Sequence, residues 1–193
     1  MNTLKRLMVY SYLLLSFTAC TQDDEPIKDY QTCCGIEPVV HIPEFIDGSK
    51  SYLYVPNAFT PNSDGINDIF SGVFNDEISH FEYIIIEQDV TDQTMSPIIY
   101  QRQNITRENL KDTGWNGLRT DGKIHKGAFN YTIYAVTKDG RTFSTIGRGC
   151  AIACDNDATY FRDKVGCFFP IQTDTKGMLD KSIKVGEESC FGK

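Results

Sequence analysis

The chain has 193 residues, with 19 basic and 26 acidic side chains and a formal net charge of −7. That length suits one domain with additions better than two full domains. The acidic balance excludes a nucleic-acid partner, which demands a basic face, and equally an electrostatic grip on anionic lipid.

The first element in chain order is a targeting segment. Lys5-Arg6 precede the apolar run Leu7-Met8-Val9-Tyr10-Ser11-Tyr12-Leu13-Leu14-Leu15, the cationic and apolar parts of an export signal. The run is shorter than the roughly 20 apolar residues a transmembrane helix needs, and no comparable stretch follows it. Ser16-Phe17-Thr18-Ala19-Cys20 closes the segment. It resembles the lipobox of bacterial lipoproteins, where the cysteine is diacylated and becomes the new N-terminus; Phe17 stands where an aliphatic residue is usual. The alternative is a plain secretory signal cleaved near Ala19, with Cys20 an ordinary thiol. Lipidation at Cys20 implies a signal peptide over residues 1–19. Its removal takes Lys5, Arg6 and no acid, leaving 17 basic against 26 acidic side chains, a net charge near −9. The anchor is then hydrophobic: each buried methylene contributes about 0.8 kcal/mol, so several acyl chains hold where one binds marginally.

Residues 20–50 read as an acidic tether. Thr21-Gln22-Asp23-Asp24-Glu25-Pro26 is polar and closed by proline, a composition that buries too little apolar area to fold. An acidic run directly after a lipidated cysteine also resembles the signal that sends some bacterial lipoproteins to the outer leaflet. It implies an outer-membrane, cell-surface location.

From residue 51 the pattern is β. Ser51-Tyr52-Leu53-Tyr54-Val55 alternates, Phe81-Glu82-Tyr83-Ile84-Ile85-Ile86 is β-branched and aromatic, and Ser96-Pro97-Ile98-Ile99-Tyr100 is a shorter run. Phe129-Asn130-Tyr131-Thr132-Ile133-Tyr134-Ala135-Val136 has a clear period of two. It meets Lys138-Asp139-Gly140-Arg141, where Asp-Gly predicts a hairpin because both positions tolerate positive φ. The partner strand is Thr142-Phe143-Ser144-Thr145-Ile146, running on to Ala151-Ile152. No helical stripe exceeds two turns. Short strands at this spacing predict an all-β, antiparallel sandwich over 51–150. Trp115, the only tryptophan, is expected in its core rather than as an exposed sugar platform.

Residues 151–193 form a polar, cysteine-bearing extension. With Cys20 assigned to a thioether, six cysteines remain: Cys33, Cys34, Cys150, Cys154, Cys167 and Cys190. An even set in an exported chain predicts a disulfide framework. Its pairing is one of 15 possibilities. Cys150 and Cys154 lie about 13 Å apart if extended at 3.3 Å per residue, too far to bridge each other. Cys33 and Cys34 are expected to reach outward, tying the tether base to the tail. Zinc is the poorer alternative, since only Cys150 and Cys154 have ligand-pair spacing.

The loop Asn62, Asp64, Gly65, Asn67, Asp68 places carboxylates and amides at calcium-like spacing around a glycine. No bidentate Glu follows at the EF-hand distance. The alternative is a turn in which Asn62 and Asp64 bond their own backbone and Gly65 supplies positive φ. His41, His80 and His125 are isolated, and no nucleophile turn, phosphate loop or zinc-protease helix is present. A non-catalytic chain is expected.

Val55-Pro56-Asn57-Ala58-Phe59-Thr60-Pro61-Asn62-Ser63-Asp64-Gly65-Ile66-Asn67-Asp68-Ile69-Phe70 closely resembles the opening motif of the gliding motility-associated C-terminal domain family, the sorting-type domain of type IX secretion cargo. Gly114-Trp115-Asn116-Gly117 and Gly127-Ala128-Phe129-Asn130-Tyr131-Thr132-Ile133 are similar to its later landmarks, in the same order. The resemblance covers about residues 51–150 and implies an Ig-like β-sandwich. Glu87-Gln88-Asp89-Val90-Thr91-Asp92 stands where the family has an Asn-Arg-Trp-Gly turn, and some forty residues follow Cys150, where the family domain normally ends its protein. The expectation is therefore a lipid-anchored binding or structural module whose partner is an outer-membrane protein or a glycan. The alternative is a type IX secretion cargo or sorting module.

Overall fold

The computed structural model describes residues 33–35, 38, 51–87, 97–155, 158, 161 and 165–191. The expected signal peptide over residues 1–19, the lipidation candidate Cys20, most of the expected tether over 20–50 and His41 lie outside the described residues.

The fold is all-β. The strands are β1 (Leu53–Tyr54), β2 (Ala58–Phe59), β3 (Val73–Phe74), β4 (Ile78–Glu87), β5 (Ile98–Ile105), β6 (Gly127–Thr137) and β7 (Thr142–Ala151), with one four-residue helix between β5 and β6, α1 (Leu110–Thr113), and another after β7, α2 (Glu188–Phe191). Five strands make one sheet in the order β2-β7-β6-β4-β5, and β1 pairs with β3 as a separate antiparallel ladder. The four long strands are antiparallel neighbours, as their alternating sequences require. β2 joins the edge parallel to β7, with Ala58 opposite Cys150 and Phe59 opposite Ala151. The sheet is thus mixed rather than purely antiparallel.

Period-two patterning decides which side chains go inside. Phe129, Tyr131, Ile133 and Ala135 on β6, with Phe81, Tyr83 and Ile85 on β4, are buried. Leu53, Val55, Phe59, Phe70 and Phe74 belong to the same core, so the β1–β3 ladder and the motif segment cover this face. The opposite face leaves Tyr134 and Ile146 in solvent.

The core is aromatic. Phe70 and Phe129 meet edge to face at 4.8 Å, Trp115 and Phe129 at 5.0 Å, geometry that adds about 0.5–1.5 kcal/mol per pair beyond area burial. Trp115 is fully buried and its indole Nε1–H donates to the Leu118 carbonyl at 2.9 Å. It is a core residue, with its one polar atom satisfied.

The β6–β7 hairpin differs in detail from its expectation. Gly140 alone in the turn has positive φ, 83°. Gly140 N–H donates to the Thr137 carbonyl at 3.0 Å and Thr137 N–H to the Arg141 carbonyl at 2.9 Å, a three-residue connection ending in a left-handed glycine. The Asp139 carboxylate serves the turn instead by accepting from Arg141 Nε at 2.8 Å and from the Thr137 hydroxyl.

The extension after β7 is irregular but has its own small core. Ala158, Phe161, Phe169 and Phe191 pack with Cys33, Ala58, Ala128, Cys150, Ile152 and Cys190.

Candidate functional site

All six cysteines behind Cys20 are paired: Cys33–Cys150, Cys34–Cys167 and Cys154–Cys190, with Cα atoms 5.6, 4.5 and 4.7 Å apart. Cys34 reaches the tail, as expected, whereas its neighbour Cys33 reaches the end of β7. The third bridge closes within the extension itself. A chain-entropy estimate for loops of this size is about 4–5 kcal/mol each if taken alone.

Disulfides are only part of what holds the extension. Two amides of the Val55–Phe70 motif grip it by hydrogen bonds. Asn57 is buried; its Nδ2 donates to the Gly166 carbonyl at 2.8 Å, and its Oδ1 accepts from Phe168 N–H at 2.7 Å. Asn67 is also buried, and its left-handed φ of 49° aims its side chain at the tail. Its Nδ2 donates to the Val185 carbonyl and to Glu187 Oε1, both at 3.0 Å, and its Oδ1 accepts from Ile171 N–H at 3.0 Å. Pairing every donor and acceptor of a buried amide is what makes its burial affordable.

This separates the four residues weighed as calcium ligands. Asn62, Asp64 and Asp68 share the exposed loop; Asn67 turns away from it. Asp68 accepts from the backbone N–H groups of Asn62, Ser63 and Gly65. Asp64 accepts from Ile66 N–H at 2.9 Å and from Asn62 Nδ2 at 3.0 Å, while Asn62 Oδ1 accepts from Asp64 N–H. Gly65 supplies the positive φ, 91°. The carboxylates are spent on the loop's own amides, the geometry of a side-chain-stapled turn.

Among the described residues, one group of three potential ligand side chains converges, and it lies elsewhere: Cys154, Glu187 and Cys190, their ligand atoms within 4.8 Å of one another. With the two sulfurs bonded, it offers one carboxylate and no metal centre. Glu187 is buried at 1 % exposure, and burial raises its carboxyl above the ordinary glutamate range. The Thr60 hydroxyl and Asn67 Nδ2 donate to its Oε1 and oppose that rise; the charges of Asp64 and Asp68 add to it. Among the described residues its Oε2 has no hydrogen-bond partner. Nothing in the local sequence Val185-Gly186-Glu187-Glu188 marks this acid as the buried one, and sequence reasoning missed it.

Of the histidines, His80 and His125 fall among the described residues and lie apart from each other. His80 is half-exposed beside Ser79. His125 is buried, which depresses its pKa. Its Nε2 lies 3.1 Å from the Ala128 carbonyl and its Nδ1 3.3 Å from the Arg119 guanidinium. That pattern fits a neutral ring that donates from Nε2 and accepts at Nδ1. Arg119 in turn forms a two-pronged ion pair with Glu87. The trio ties the end of β4 to the Trp115 turn.

No family model, curated protein or solved structure matches the chain.

Proposed function

We propose that the chain is an outer-membrane lipoprotein, anchored through lipid on Cys20 and displayed at the cell surface, whose folded part is a non-catalytic binding or structural module. The observation that carries this reading is the complete pairing of six cysteines, which leaves no other cysteine in the chain for Cys20, the seventh. Three disulfides belong to an oxidising compartment, and the remaining cysteine sits where a lipobox ends. Among the described residues no helix is long and apolar enough to cross a membrane, so acyl chains are the means of attachment this reading needs. An Ig-like sandwich arrangement is part of the proposal, with the β1–β3 ladder and motif segment as the layer facing the larger sheet. End loops and strand edges on a rigid core are the usual recognition surfaces of such folds; the partner is an outer-membrane protein or a glycan.

The test is metabolic labelling with a clickable fatty-acid analogue, comparing wild type with Cys20→Ala. The expected result is label on wild type, none on the variant, and release of the variant into the soluble fraction. An unlabelled wild type, or a variant still labelled, overturns the reading.

The alternative, a type IX secretion cargo or sorting module, draws on the Val55–Phe70 motif. Asn57, Ala58 and Phe59 of that motif are fully buried, and Asn57 and Ala58 donate backbone N–H groups to the Phe168 carbonyl. A motif covered by the extension favours a structural use of it here. A cargo module would still reach the surface as Cys20→Ala.

A further inference from the structure

The three disulfides sit in different surroundings. Cys33 and Cys150 are both fully buried, and Cys34 and Cys167 are both half-buried. Cys154–Cys190 is asymmetric: Cys154 is exposed, while Cys190 is buried at 7 % exposure. One residue of this bridge lies at the surface and the other in the interior.

Beside it stands the buried acid. A carboxylate oxygen of Glu187 lies within 4.8 Å of both sulfurs. Its Oε1 is occupied by Thr60 and Asn67, but among the described residues nothing donates to Oε2. Among the described residues no cation pairs with this carboxyl. Burying an acid without a cation favours its neutral form, which carries a proton. Asn62 Nδ2 also points at the sulfur of the exposed residue, 3.0 Å from Cys154 Sγ. A structural disulfide requires none of these features.

We propose that Cys154–Cys190 is a thiol–disulfide exchange site that accepts electrons from a dithiol, with Glu187 as the proton donor to Cys190. A thiolate of the dithiol attacks the exposed Cys154 sulfur, forming a mixed disulfide and breaking the Cys154–Cys190 bond. The electron pair goes to Cys190 Sγ, which takes the proton from Glu187. The second thiol of the dithiol then gives its proton to the Glu187 carboxylate and attacks the dithiol's first sulfur, the one bonded to Cys154 in the mixed disulfide. The Cys154 thiolate leaves and is protonated by solvent, which received the proton of the first thiol. In total two electrons and two protons pass from the dithiol to the cysteine pair, and the dithiol becomes a disulfide. In-line attack at the accessible sulfur and protonation of the buried leaving sulfur are the two demands of such exchange, and the asymmetry of this bridge serves both. The inference does not depend on the lipid anchor.

The test uses the purified, detergent-solubilised full chain under native conditions. Dithiothreitol is added at pH 5 to 9, the reaction is quenched by alkylation, and each cysteine's labelling is followed over time by mass spectrometry. Rates are divided by the reagent's thiolate fraction. The expected result is that Cys154 and Cys190 open first, at least tenfold faster than either other bridge. Glu187→Gln keeps an Oε1 acceptor for Thr60 and Asn67 but has no acidic proton. It is expected to slow this bridge at least fivefold at low pH, with a smaller effect at high pH, and to leave Cys34–Cys167 unchanged. If Cys34–Cys167 opens first, or if Glu187→Gln leaves the Cys154–Cys190 rate and its pH profile unaltered, the proposal is overturned. An equal change at both bridges also overturns it, since that is the mark of a loosened tail.

Discussion

Replacing Gly149 with alanine places a methyl group in the ring of Phe129. The two residues face each other across β6 and β7, and an ideal Cβ at Gly149 falls 2.4 Å from Phe129 Cζ, 2.9 Å from Cε2 and 3.1 Å from Cε1. Carbon contacts are comfortable at about 3.5–4.0 Å, so the nearest pair is more than an ångström too close. The ring has little room to retreat, because Phe59, Phe70 and Trp115 pack around it with centroids 5.9, 4.8 and 5.0 Å away. Overpacking of this kind costs about 1–3 kcal/mol, and the fully buried ring argues for the upper end. Alanine restricts the unfolded chain and returns roughly 0.4–1 kcal/mol, leaving a net loss of about 2 kcal/mol. For a domain of this size that lowers the melting temperature by roughly 4–8 °C. Phe129→Leu removes all three clashing atoms. In that background Gly149→Ala is expected to be neutral or slightly stabilising, so a double-mutant cycle by chemical denaturation reads a coupling of about 2–3 kcal/mol. The same penalty in both backgrounds would refute the steric account.

Glu187 makes stability depend on pH. Burial raises its pKa in the fold, so the native state holds the proton more tightly than the unfolded chain. Its contribution is fully present below the ordinary glutamate range and is lost as pH rises through the raised native value. Glu187→Gln removes that loss: calorimetry from pH 4 to 8 is expected to show the variant melting higher than wild type at neutral pH, with the gap closing in acid. A gap that does not vary with pH contradicts this. Asn67→Ala deletes three hydrogen bonds to the extension and leaves alanine at a left-handed φ. At about 1 kcal/mol per bond the loss is roughly 3 kcal/mol, and hydrogen exchange should accelerate at the Ile171 amide. Unaltered protection there shows that Asn67 is not the clamp described.

The long strands were legible because periodicity is a local property. Phe81–Ile86 and Phe129–Val136 carry their inward and outward faces in their own letters, and both became central strands. The placement of Trp115 followed from its size and its flanking glycines, and an even cysteine set after residue 20 pointed to a framework. What escaped depends on distant partners. β2 is two residues long and has no period to show; its parallel seat against β7 is set by residues some 90 positions away. Asn57 stood out in the sequence only as part of the Val55–Phe70 motif and Asn67 only by its calcium-like spacing, although the partners of both lie between residues 166 and 187. Glu187 is one of 26 acids, and only the segments folded over it distinguish it. The pairing of Cys33 with β7 rather than the tail belongs to the same class, since adjacent cysteines in a tether do not record which surface each will meet.

The cystines at 33 and 34 also decide how the fold bears mechanical load. A pull on the chain ahead of Cys33 enters the domain at two covalent bonds, one at the end of β7 and one at Cys167. The segment from residue 35 to β1 is therefore bypassed, and strands cannot be unzipped one after another from that side. Tension entering at Cys150 reaches a strand hydrogen-bonded on both sides, which offers no free edge to peel.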